Sequence, residues 1–118
     1  MDLRECYAQL GGDYEAVMGR LRQEERVMKF LRLFPADENF QVLTQALEKE
    51  DWSAAFRAAH SMKGVALNLG FTALAKSASD LTECLRPGTP EGDPAPLYGK
   101  VEEDYKKTLA AIETLTDK

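Results

Sequence analysis

The sequence predicts an all-α fold: an up-down antiparallel four-helix bundle with additional N-terminal helices. Three observations carry that prediction. Apolar residues recur three and four apart over most of the chain, which places them on one face of an α-helix. No stretch alternates β-branched and polar residues between turn signals, so no strand is expected. The breaks between periodic segments are mostly short, and short links make consecutive helices antiparallel neighbours.

The first third is helical in pieces. Leu3, Tyr7 and Leu10 form one stripe, Tyr14, Val17, Met18 and Leu21 a second, and Val27, Met28, Leu31 and Phe34 a third. Gly11-Gly12 is the first break, and Gly19 is the candidate break in the remainder. Pro35 then separates these N-terminal helices, residues 1–35, from a bundle over 37–116. In 38–50 the stripe is Phe40, Leu43 and Leu47, with Asp37 or Asn39 as N-cap. In 52–69 it is Trp52, Ala55, Ala59, Met62, Ala66 and Leu69, capped by Asp51. In 72–86 it is Leu74, Ala78, Leu81 and Leu85. Residues 87–96 hold four of the five prolines and are predicted as a loop. The last helix, 97–116, carries Tyr98, Val101, Tyr105, Leu109, Ile112 and Leu115. None of these helices buries its stripe alone, so the four after Pro35 are expected to pack together, with the N-terminal helices across one end or side. The small residues Ala54, Ala55, Ala58, Ala59 and Ala66 suit 52–69 to a central place with close neighbours.

At 118 residues the chain fits one domain with a real core. Fifteen basic against 20 acidic residues, a net −5, leave no basic excess to displace counterions, so nucleic acid is not the expected partner. No apolar run approaches a membrane span, and no basic-then-apolar leader pattern is present, so neither a membrane nor secretion is expected. Two cysteines, Cys6 and Cys84, are too few for a disulfide scaffold and fit a reducing, cytoplasmic setting. A single histidine excludes a site built from several.

That histidine is the residue packing does not explain. On a helical wheel at 100° per residue, His60 falls about 120–130° from the centre of the 52–69 stripe. Lys63 and Gly64 lie one turn on, Phe56 one turn before, and Leu67 two turns after. Glycine inside a helix costs about 1 kcal/mol relative to alanine, so Gly64 needs a reason. Close helix packing is the ordinary one, but Gly64 faces away from the stripe. Clearance is the other: with no side chain at i+4, a bulky partner reaches the imidazole, and Lys63 offers a positive charge beside it. A nucleophile, a cation and an absent side chain suit a small anion carried by a large partner.

The segment Ala59-His60-Ser61-Met62-Lys63-Gly64-Val65-Ala66-Leu67-Asn68-Leu69-Gly70 resembles the signature of histidine-containing phosphotransfer (HPt) domains, His-x-x-Lys-Gly followed by a small or apolar run ending in Leu-Gly. Glu50-Asp51-Trp52 ahead of it and the following helix through Arg86 are similar too, and the resemblance covers roughly 37–115. It implies that His60 accepts a phosphoryl group from a receiver phosphoaspartate or a kinase and passes it to a receiver aspartate. It further implies that Lys63 stabilises the phosphate charge and Gly64 gives steric clearance. The expected partners are a response-regulator receiver domain, a hybrid sensor histidine kinase, or both, with the chain itself a monomer. The chain is expected to be a phosphocarrier without kinase activity, since no Gly-rich phosphate loop is present. No cofactor or metal is expected on it; the receiver brings the Mg²⁺ and the acidic pocket. The chemistry agrees, because an ordinary imidazole is largely neutral near pH 7 and phosphoryl transfer needs positioning and charge neutralisation above all.

On the 72–86 helix, Ala75, Ser79, Thr82 and Arg86 line the flank towards the histidine helix. Many HPt domains have a glutamine matching Thr82, which bonds the imidazole; the shorter threonine reaches it through water or not at all. Arg86 is a candidate for the phosphate region, or else a solvated cation at a helix end. Phe56 and Leu67 are candidates for an apolar docking patch, or else the edge of a wide core stripe. Three other functions stay open: a helical adaptor that is never phosphorylated, a metal site using His60, and a phosphatase-like drain on a receiver.

Overall fold

The computed structural model describes residues 2–116 as seven α-helices and one 3₁₀ turn, with no strand among them. Helix α1 (Leu3–Leu10) opens on a reciprocal cap. The Asp2 carboxylate accepts the Glu5 amide at 2.9 Å and the Glu5 carboxylate accepts the Asp2 amide at 3.1 Å. Helix α2 (Tyr14–Leu21) starts on Asp13, which accepts the Ala16 amide. It runs straight through Gly19, the expected break, and ends instead at Arg22, whose φ of 69° turns the chain into the left-handed region. Gly19 has no neighbour a side chain would meet, so nothing there forces a turn. Helix α3 (Glu24–Leu33) follows, and Pro35 sits in the 3₁₀ turn Phe34–Ala36.

Helix α4 (Asn39–Glu48) begins where the Asp37 carboxylate takes the Asn39 amide at 2.9 Å. Helix α5 (Trp52–Leu69) keeps its expected ends: Asp51 accepts the Ala54 amide, and Gly70, at φ 74°, closes the C-terminus with the Phe71 amide on the Ala66 carbonyl. Helix α6 (Thr72–Leu85) starts two residues later. Helix α7 (Ala95–Thr116) starts before the expected 97, because Pro96 fits a first helical turn, where its missing amide has no partner to lose. The proline-rich loop is therefore shorter than 87–96.

Helix α5 makes its most extensive contacts with α6 and α4, which places it centrally as its alanines predict. Ala55, Ala58, Ala59, Met62 and Ala66 are all buried there. The links 49–51 and 70–71 are too short for anything but antiparallel pairing of α4 with α5 and α5 with α6. Helix α7 packs on α6 and meets α4 through aromatic side chains. Tyr98 contacts both Phe40 and Thr44, whereas Tyr105, two turns on, contacts Phe40 and Phe34, so α4 and α7 run in opposite directions.

The N-terminal helices fasten the end of α5. Helix α1 lies along α7, and α2 and α3 touch α5. The buried Tyr7 hydroxyl donates to the Leu69 carbonyl at 2.6 Å. The Asp13 amide donates to Gly70 O at 2.8 Å, and the Ala73 amide to Gly11 O at 3.0 Å. These backbones approach so closely that a Cβ on Gly70 would stand 2.8 Å from Asp13 O, and one on Gly12 would stand 2.6 Å from Gly70 O. The turn that ends α5 is thus pinned from two sides, which holds the outer face of that helix in place. Among the described residues no helix is long and apolar enough to cross a membrane.

Candidate functional site

Two properties of α5 define the site. Its inward stripe is filled by buried alanines and Met62, so the helix cannot rotate without losing the core. Its opposite side therefore faces solvent, and His60 and Gly64 are both exposed there. A Cβ built on Gly64 meets no atom within 4 Å. Packing within the chain does not require this glycine, and the space beside the imidazole is open.

Around His60 the side chains form a layered stack. The Phe56 ring lies nearly parallel to the imidazole, with centroids 6.0 Å apart and planes 12° apart. Phe56 is half-buried against the core, and the Arg86 guanidinium sits 5.4 Å from its ring centroid. Arg86 is itself held by Glu83. Its Nε donates to both carboxylate oxygens at 3.0 and 3.1 Å, and its Nη2 donates to Oε2 at 2.6 Å. That bond, and secondarily the charges of Arg86 and Lys63, hold the Glu83 carboxyl below its ordinary range. The same pairing raises Arg86 further above neutral pH.

Lys63 opens onto an adjoining groove between α2, α5 and α6, whose walls include Arg20, Leu67, Lys76 and Ser79. Arg20 bonds the Leu67 carbonyl, one of the last carbonyls of α5, which a cation at a helix C-terminus favours. Leu67 is 51% exposed, so of the two docking candidates it is the one standing clear of the core. Net charge is −5 over the chain, whereas this strip carries three cations, Arg20, Lys63 and Lys76, against one lining carboxylate, Asp13. Lys76 shares its charge with Asp80 at 3.3 Å.

The structure thus gathers His60, Phe56 and Arg86 into one stack, and Lys63, Leu67 and Ser79 along the neighbouring groove. It does not bring Thr82 into service for the imidazole. Thr82 is fully buried and donates its one proton to the Ala78 carbonyl at 2.6 Å, because the rotamer that bonds back along its own helix satisfies the hydroxyl locally. Arg86 is not a loose cation: it pairs with Glu83 and lies over the Phe56 ring. Glu83 and Arg20 were not among the sequence candidates. The i, i+3 spacing of Glu83 and Arg86 is the signal that finds the first. Arg20 carries none, being 47 residues from its partner.

Chemically, the site offers an exposed nitrogen nucleophile, a cation one turn away, and no wall on the far side. It does not enclose a small substrate or shut out water. Among the described residues no group of three histidine, cysteine, aspartate or glutamate side chains is placed to hold a metal ion.

Comparison with known proteins adds one match. The family model described as Hpt domain covers residues 35–115, from the 3₁₀ turn to the end of α7. No curated protein and no solved structure matches the chain.

Proposed function

Because this chain belongs to the Hpt domain family, we propose that His60 is the phosphoacceptor through which it serves a two-component phosphorelay. Hpt domains are phosphocarriers that work with receiver and kinase partners. The observation that carries the assignment to His60 is its exposure on the outer face of α5 beside the empty space at Gly64. A phosphorylated receiver aspartate lies in a pocket, and the acceptor nitrogen has to be pushed into it. An exposed histidine with open space one turn on does that.

The step balances simply. The lone pair of the unprotonated ring nitrogen forms the N–P bond as the acyl O–P bond of the phosphoaspartate breaks. The receiver carboxylate leaves with that electron pair, and the imidazole proton stays on the other ring nitrogen. The reverse step loads the next receiver. Lys63 offsets part of the negative charge that arrives on His60. The receiver provides the Mg²⁺ and the acidic pocket; Lys63 and the strip with Arg20 and Lys76 complement that acidity from this side.

The test uses a receiver domain charged on its aspartate by acetyl phosphate. The wild-type chain is expected to take up acid-labile, base-stable phosphate, and His60→Gln none. Uptake that survives His60→Gln overturns the assignment and favours an adaptor that binds receivers without carrying phosphate on this residue.

A further inference from the structure

An exposed histidine has no reason to hold one orientation. In-line transfer, however, requires the nitrogen lone pair to point at phosphorus, and misplacement by about 1 Å costs on the order of 100-fold. Something must restrict the ring, and Thr82 does not, since its proton is committed to Ala78. The stack beside His60 supplies the restriction.

Side chains in a helix point back towards the N-terminus, over the residue four before. For His60 that residue is Phe56. The two rings lie 6.0 Å apart at 12°, inside the range of offset stacking. Phe56 is a firm platform because it is half-buried and packs against the core. Its ring also carries the Arg86 guanidinium at 5.4 Å, within cation–π reach. Arg86 is fixed by three hydrogen bonds to Glu83 on α6. Restraint therefore passes from α6 through Glu83 and Arg86 to Phe56, and from Phe56 to the acceptor. On the other side, one turn on, Gly64 leaves the imidazole open.

We propose that Phe56, clamped by Arg86 and Glu83, is a positioning residue that holds the His60 ring in the orientation needed for transfer. The proposal rests on His60 being the phosphoacceptor. It assigns Phe56 a job that its flat face performs and its bulk does not.

The experiment compares Phe56→Leu, Phe56→Tyr and Arg86→Gln with wild type in two readouts. One is the NMR ring-current shift of the His60 protons in the unphosphorylated protein. The other is the single-turnover rate of transfer from an acetyl phosphate-charged receiver. Phe56→Leu keeps apolar volume but lacks the flat face. It is expected to lose the ring-current shift and to slow transfer about 5- to 20-fold. Phe56→Tyr is expected to keep both within about twofold, and Arg86→Gln to fall between. Wild-type rate in Phe56→Leu overturns the proposal, as does slowing with the His60 proton shifts unchanged. A wild-type protein that takes no phosphoryl group from any charged receiver overturns the phosphotransfer reading itself, which is a different result from a normal wild type with an indifferent Phe56→Leu.

Discussion

Gly64→Ala separates packing from clearance, because the two explanations of this glycine predict opposite signs. The residue lies inside α5 with an ordinary helical backbone, and the added Cβ meets nothing within 4 Å. Alanine removes conformational freedom from the unfolded chain and favours the helix, which together stabilise by about 0.5–1 kcal/mol. For a domain of this size that raises Tm by roughly 2–6 °C. The new methyl group stands on the face where a receiver has to close around His60, so transfer from a charged receiver is expected to fall about 10- to 100-fold. Phosphoramidate, a small donor that needs no docking, should still phosphorylate the variant at close to the wild-type rate. Thermal unfolding followed by circular dichroism gives the first number, and single-turnover transfer the second. A lower Tm would mean that Gly64 is needed for packing after all. Undiminished transfer in a stabilised variant would refute the clearance argument.

Lys63→Ala removes a charge near the developing phosphate and should cost about 1 kcal/mol at water-like screening, or about fivefold in transfer rate. Repeating the assay at high ionic strength should shrink the difference between variant and wild type. Tyr7→Phe deletes the buried bond to the Leu69 carbonyl and should destabilise by about 1–3 kcal/mol. Urea titration should show a lower midpoint with the same slope. At alkaline pH the core itself becomes sensitive. Burial pushes the Cys6 thiol up to about 11 and raises the Tyr7 hydroxyl as well, the latter helped by the neighbouring thiolate charge. Both groups lose a proton more readily when unfolded, so the Cys6 contribution is complete below the unfolded thiol pKa and is lost as pH rises through about 11, while that of Tyr7 begins to fall at the ordinary tyrosine pKa and continues to fall beyond that window. Urea midpoints at pH 8, 9.5 and 11 should therefore fall progressively, and Cys6→Ala should flatten part of that fall.

What the sequence reveals depends on whether the cause is local. The ends of α5 are legible because Asp51 and Gly70 act within one turn of the residues they cap. The central place of α5 is legible because its alanines leave room that only neighbours can fill. His60, Lys63 and Gly64 are legible as a group because helical spacing alone sets their relation. Causes that cross the fold are hidden. The chain turns at Arg22 and not at Gly19, although glycine is the better breaker, because Arg22 takes up the left-handed conformation itself. Arg20 reaches Leu67 across 47 residues, which no periodicity encodes. Thr82 shows a third limit. The wheel places it on the correct flank, but the choice between bonding its own helix and reaching a neighbour is made by a single rotamer. The wheel leaves Phe56 open between docking patch and core edge; in the structure it packs against the core and also stacks on the imidazole.

The central claim is that His60 carries the phosphoryl group. The most direct measurement is mass spectrometry of the intact chain and its peptides, kept at alkaline pH, after mixing with a charged receiver. A single phosphoryl group on the peptide containing His60, discharged when fresh receiver is added and absent from His60→Gln, is the predicted result. A phosphoryl group on any other residue, or a receiver that binds and keeps its phosphate, would contradict it.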